Sequence, residues 1–427
     1  MCLCAVGLTS CYAQNQDVHP VSPFEFRGIY SPTNALDSIR DKFGTHHVDY
    51  DWGLWGHNLH KVVGENPDES MLATIDGKKD KEQYCFSSEK MYGQLVEYII
   101  DNFGDGEVPS SSTRISIMPR DNKKSCTCKR CIAVGNTATN ATPAVTSMMR
   151  KLAERFPKHQ FFTSAYHSTR MAPEEKLPSN VGVIISAIDL PMRVTFTENK
   201  GYRTFISMLK DWKEKTDLIY VWDYFRNYRD YLSPFPCLKV MQRRFQLYNR
   251  FGVKGIFLNG SGDDYAAFDD MQTCILGKMM YDLALDVDAE VQKYYKNNYP
   301  ETGKLIADYY LKLEHRVDES NHIIPLYGSM EDEVASYLNV KAFTEFRTQL
   351  ENAAEKVTGA EKEKLRYLLT ALSFTQLQML ALNPSDDNQQ LKAKLIEHLN
   401  GHKDLKGMDN YGETDAVIDT FIQKLNN

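Results

Sequence analysis

The sequence predicts an α/β protein: a (β/α)8 TIM barrel over residues 24–285, followed by a C-terminal α-helical region over 286–427. Two observations carry that expectation. Between residues 24 and 285, short apolar runs alternate with amphipathic helical stretches, the cadence of a parallel sheet built from βα units. After Leu285 the strand-like runs stop and only helical periodicity continues. Length agrees, because single cores rarely grow beyond roughly 250–300 residues and 427 residues leave room for a barrel and a second unit.

Residues 1–13 are small and apolar and read as the remnant of an export signal. Leu8-Thr9-Ser10-Cys11 has the form of a bacterial lipoprotein signal, which would make Cys11 a lipid anchor; an ordinary signal-peptidase cut before Gln14 fits as well. The expectation is an exported bacterial protein, periplasmic or held at the cell surface as a lipoprotein. Later in the chain no run approaches the roughly 20 apolar residues of a membrane span, so no transmembrane segment is expected. The net charge of -7 without a basic stripe argues against nucleic acid, which needs clustered Lys and Arg on one face.

Eight strands are predicted, at 24–30, 48–55, 83–87, 114–118, 160–166, 181–187, 218–222 and 253–258. Helices are predicted between them at 89–103, 144–156, 202–215, 238–251 and 268–285. Pro157 and Gly252 supply ordinary stops for the second and fourth of these. Beyond the barrel, helices are predicted at 294–315, 340–357, 362–382 and 389–399. Their amphipathic stripes are read as core-facing.

A barrel gathers its functional groups at the C-terminal ends of its strands. In chain order that rule collects Arg27, then Trp52, Trp55 and His57, then Cys85, then Asp121 and Asn122. Tyr166 and His167, Asp189, Trp222 with Asp223 and Tyr224, and Asn259 with Asp263 and Asp264 complete the set. Carboxylates can protonate or attack, amides and histidines can bind hydroxyls, and aromatic rings can stack on pyranose faces, so the set suits an oligosaccharide. Plainer roles stand beside these. Asp121 fits a cap for the turn that follows it, and Asp263 and Asp264 sit in the turn-like Gly260-Ser261-Gly262-Asp263-Asp264. His57 fits a simple hydrogen-bonded pocket residue. Trp222 and Tyr224 flank Asp223 on a strand whose side chains alternate between faces, so the three cannot all reach one pocket.

Cys126-Thr127-Cys128-Lys129-Arg130-Cys131 offers three thiolates in six residues, one short of a closed zinc site, and Cys85 at the neighbouring strand end would complete the set. Disulfides are the alternative, although residues spaced C-x-C rarely bridge each other. Either way the cysteines read as structural, because no activating partner for a catalytic thiol is evident. Cys237 and Cys274 are expected to be buried.

Several motifs follow one another in a familiar order: Gly56-His57-Asn58-Leu59, Gln83-Tyr84-Cys85-Phe86-Ser87, Asp121-Asn122 with the cysteine cluster, Thr163-Ser164-Ala165-Tyr166, Val221-Trp222-Asp223-Tyr224 and Gly252-Val253-Lys254-Gly255-Ile256-Phe257. In this order the chain resembles a large group of secreted bacterial proteins, long labelled a domain of unknown function and related to glycoside hydrolase family 163. The resemblance spans roughly residues 24–299. It implies a (β/α)8 glycosidase and, from characterised members, endo-β-N-acetylglucosaminidase activity on N-glycans with no catalytic cofactor. The substrate it implies is an oligosaccharide or the glycan of a glycoprotein.

The resemblance also implies carboxylates at the ends of the fourth and eighth strands, which here are Asp121 and Asn259. An amide cannot attack an anomeric carbon or deprotonate water. Two expectations follow. In one, the chain is a glycoside hydrolase for β-linked, N-acetylhexosamine-containing glycans, with Asp121 as proton donor and Asp264, Asp263 or Asp223 as its partner. In the other, it is a glycan-binding protein that has lost its nucleophile.

Overall fold

The computed structural model describes residues 21–104, 112–193, 195, 197–320, 322–382, 385–413 and 416–426. The expected signal segment 1–13, with Cys11, lies outside the described residues. Among the described residues eight strands are present: β1 (Phe26–Tyr30), β2 (Leu72–Ile75), β3 (Lys78–Tyr84), β4 (Arg114–Ser116), β5 (Gln160–Ala165), β6 (Val181–Ser186), β7 (Ile219–Tyr224) and β8 (Gly255–Asn259). Six of them form one curled parallel sheet, in the order β1-β8-β7-β6-β5-β4.

The expected count of eight barrel strands is thus corrected to six. Residues 48–55 do not form a strand. The His47 ring accepts a hydrogen bond from Asp49 N and the Asp51 carboxylate accepts one from His47 N, which closes Val48–Asp51 into a helical turn. Local capping there overrides the alternating pattern of Val48, Tyr50, Trp52 and Leu54. Single bridges remain on either side of the turn, Gly28 with His46 and Leu54 with Ile115, so this segment touches both edges of the sheet.

The run at 83–87 is corrected as well. It begins in β3, which pairs antiparallel with β2 outside the main sheet. Asp76 and Gly77 join the two strands, both at positive φ (48° and 76°). Asp-Gly between paired residues Ile75 and Lys78 is a strong two-residue hairpin signal.

Even-numbered residues of β1, β5, β6 and β7 face the inside of the curl, in keeping with the two-residue period of a strand. Phe26, Phe162, Ile184 and Tyr220 pack there with Phe257 of β8 and with Trp52. Phe26 and Tyr220 are stacked, with ring centroids 5.7 Å apart and planes at 4°. Each fully buried side chain of this size contributes roughly 1.5–3 kcal/mol. Glycine makes the space for them, since a Cβ at Gly255 would lie 2.7 Å from the Tyr220 ring.

The outer face of the sheet shares one continuous core with the helices that follow it. Those helices are Val287–Asn298, Gly303–Ser320, Met330–Ser336, Val340–Ala354, Gly359–Leu382, Gln389–Leu399 and Ile418–Asn426. The single helix expected at 294–315 is divided between the first two, because Pro300 lacks the N–H needed to continue it. None of the described helices is long and apolar enough to cross a membrane.

Candidate active site at the C-terminal edge of the sheet

From β4 the chain runs through Met118 to Pro119, and the His57 ring closes over this turn with Nδ1 2.5 Å from Pro119 O. A carbonyl only accepts, so Nδ1 carries a proton. Asp121 follows, with 61% of its side chain exposed and Oδ1 3.5 Å from His167 Nε2. His167 holds a left-handed backbone (φ 46°), and its ring lies against Tyr166 at 3.7 Å. Non-glycine residues in that conformation persist where the surroundings enforce it, often at functional sites. Burial lowers the His167 pKa despite the opposing pull of Asp121.

Trp55 and Trp222 form the floor beside this rim, stacked at 5.0 Å with planes at 21°, and both are part-exposed. The His57 ring is 6.5 Å from Trp222. Tyr224, on the same face of β7, places its hydroxyl 3.4 Å from Ser186 Oγ.

The opposite rim is built from β8 and from chain far beyond the sheet. Asn259 ends β8 with its side chain part-exposed, and its carbonyl accepts a hydrogen bond from Tyr228 Oη at 2.6 Å. Asp263 is exposed. Asp264 is half-buried, and burial raises its pKa against a 3.2 Å hydrogen bond donated by Asn410 Nδ2. Tyr327 donates to Glu413 Oε2 at 3.1 Å, and Glu413 N donates to Tyr228 O at 2.8 Å. Burial and then the Glu413 charge push the Tyr327 hydroxyl up to about 12, and Tyr166 and Asp121 act on it in the same sense. The Tyr327 ring lies 5.4 Å from that of Tyr228. Sequence reasoning missed Tyr327, Asn410 and Glu413, which belong to loops between helices.

Other expected site residues are placed elsewhere. Trp52 is 5% exposed and packs in the interior against Trp55 and Phe162. Arg27 points off the outer face, where its guanidinium donates to Gly44 O and Phe24 O and covers the Tyr281 ring. Asp223 is wholly buried on the outer face, paired with Arg244 and accepting from Tyr248 Oη at 2.5 Å, so it cannot serve as the partner of Asp121. Asn122 holds its own loop: Oδ1 accepts from Gln83 Nε2 (2.9 Å) and Lys124 N (3.0 Å), and Nδ2 donates to Glu82 O (2.7 Å). Asp189 pairs with Arg170 beside the mouth.

Below the Asp121 loop, the sulfurs of Cys85, Cys126, Cys128 and Cys131 all lie within 4.8 Å of one another. No disulfide joins them. Cys237 and Cys274 are buried elsewhere.

No curated protein matches this chain. Among solved structures it is similar to a GH138 enzyme described as targeting pectin rhamnogalacturonan II, at 9% identity and a TM-score of 0.43 over 92% of this chain. The match spans 63% of that protein's length. It is also similar to CpGH84B, at 11% identity and a TM-score of 0.44, over 95% of this chain and 77% of that one. Residues 12–311, well over half of the sequence, match the family described as a domain of unknown function, DUF4838, and the chain belongs to that family.

Proposed function

We propose that the mouth at the C-terminal edge of the sheet binds and hydrolyses a glycan. The observation that carries this reading is the stacked Trp55–Trp222 pair lying next to His57 and within one mouth of the exposed Asp121–His167 pair. Flat aromatic surface suits the apolar face of a pyranose, while His57 Nε2 and the Tyr166 and Tyr224 hydroxyls are polar groups of the kind that fix a sugar's orientation. Asp121 is then the acid/base, with the His167 ring beside it at 3.5 Å. Its partner is Asp264, Asp263 or Glu413 on the far rim. Of these, Asp264 is half-buried and its Oδ1 is held by Asn410 Nδ2 at 3.2 Å. The sequence resemblance described above supports β-linked, N-acetylhexosamine-containing glycans as the substrate class. It also supports export, and the form of Leu8-Thr9-Ser10-Cys11 supports Cys11 as a lipid anchor.

Asn259 favours a second reading, in which the mouth binds glycans without cleaving them. One experiment separates the two. The purified protein, Asp121→Asn and Trp222→Ala are incubated with N-glycan and mucin-type glycans, and products are read by mass spectrometry while binding is read by calorimetry. Hydrolysis requires cleavage by the parent, a loss of at least about a hundredfold in Asp121→Asn, and retained binding in that variant. Binding without cleavage by the parent selects the second reading. Neither binding nor cleavage defeats both.

A further inference from the structure

We propose that Cys85, Cys126, Cys128 and Cys131 hold one structural Zn2+, which fixes the loop bearing Asp121. Four thiolates around tetrahedral zinc at about 2.3 Å stand about 3.8 Å from one another. Cys85 Sγ lies 3.7 Å from Cys128 Sγ and 3.7 Å from Cys131 Sγ, and the whole set lies within 4.8 Å. A disulfide needs its sulfurs about 2.05 Å apart, so this is the spacing of a coordination tetrahedron rather than of two bridges.

The surroundings suit a tetrathiolate. Cys85, Cys126 and Cys131 are buried, and Cys128 is partly so. Thr74 N–H donates to Cys126 Sγ at 3.2 Å, and Ser87 Oγ lies 3.3 Å from Cys131 Sγ. The Arg130 guanidinium is within hydrogen-bonding reach of Cys85 and Cys128. On loading, the four thiols release four protons and the bound set carries a net charge of -2, which these donors and Arg130 offset. With four protein sulfurs no position is left open for substrate, so the site is structural.

Its position gives it a task. Cys85 follows β3 directly, and the other three follow the Asp121 loop, so the metal would join the two. Gln83, two residues before Cys85, already grips that loop, since its Oε1 accepts from Arg120 N at 3.0 Å and its Nε2 donates to Asn122 Oδ1 at 2.9 Å. The zinc would clamp the base of this arrangement.

The test is metal analysis of the full chain purified without reducing agent, together with cobalt exchange. The expected result is one zinc per chain, its loss in Cys128→Ser, and its retention in Cys237→Ser. Cobalt exchange should give the sulfur-to-metal charge-transfer and intense d–d absorption of a tetrahedral thiolate site. If Cys128→Ser fails to fold, the cobalt spectrum of the parent and the drop in melting temperature on chelation still decide the matter. Chain containing no zinc with the four cysteines recovered as disulfides would overturn the proposal, as would stoichiometric iron in place of zinc or full zinc content in Cys128→Ser.

Discussion

The β4 rim and the β7–β8 rim of the mouth are held in unlike ways. The Asp121 loop is anchored locally, by Gln83 and Asn122 above and by four clustered cysteines below, all between residues 83 and 131. The loop after β7 is anchored by distant chain. Asn227 Nδ2 donates to Gly328 O and Glu333 Oε1, Ser233 to Glu333, Thr375 Oγ1 to Leu232 O, Gln378 to Asp230, and Tyr231 N to Tyr411 O. One rim depends on a compact knot and the other on the C-terminal helices. Treatments that disturb the helices should therefore weaken the second rim while sparing the first.

The largest effect is expected behind β7. Asp223→Ala leaves Arg244 buried without its carboxylate and should cost roughly 3–5 kcal/mol, read as a fall in the urea midpoint. A smaller loss, on the order of 1–3 kcal/mol, is expected for Glu333→Ala, which strips partners from Ser233 and Asn227. The thiol cluster should be unaffected by that change, so metal content is the control that shows the two rims to be independent.

Glu333 also makes the second rim sensitive to pH. Burial, and then the charge of Asp230, raise its pKa above the ordinary 4.5. In the pH range between the unfolded and folded values, the folded state keeps a proton that the unfolded state gives up. The stability contributed by this group is therefore full below about pH 4.5 and is lost as pH rises through the folded value. Glu333→Gln should flatten that slope in melting curves collected between pH 4 and 9. An unchanged slope would show that other groups set it.

The smallest effect on stability is expected at the mouth itself. Asp121 is mostly exposed, so Asp121→Asn should shift stability by no more than about 0.5 kcal/mol even where it abolishes turnover. A large loss of stability there would mean that the carboxylate holds the rim together instead of facing a ligand.

How far these features were legible in the sequence follows from their origins. Strands β5 to β8 are apolar runs and were readable, as were the groups at or near their C-terminal ends, Tyr166, His167, Trp222, Tyr224 and Asn259. His57 and Asp121 were readable from their turn positions. Arg27 and Asp223 were misassigned because a one-residue change of register moves a side chain to the other face of a sheet, and the inward stacking of Phe26 and Tyr220 decides which face is which. The hairpin at Asp76-Gly77 was written plainly and passed over. Tyr327 and Glu413 were not readable at all, since only tertiary packing brings them to the mouth. The cysteine motif was readable as a cluster, and the fold brings its sulfurs and that of Cys85 within 4.8 Å of one another.

Hydrogen exchange read by mass spectrometry, with and without the tightest-binding glycan, locates the ligand on the protein. Slowed exchange is predicted at 55–58, 120–122, 166–168 and 222–225 together with 410–413, because a chain lying across the mouth touches both rims. Protection confined to the outer helices, or absent from both the 120–122 and the 410–413 peptides, would contradict it.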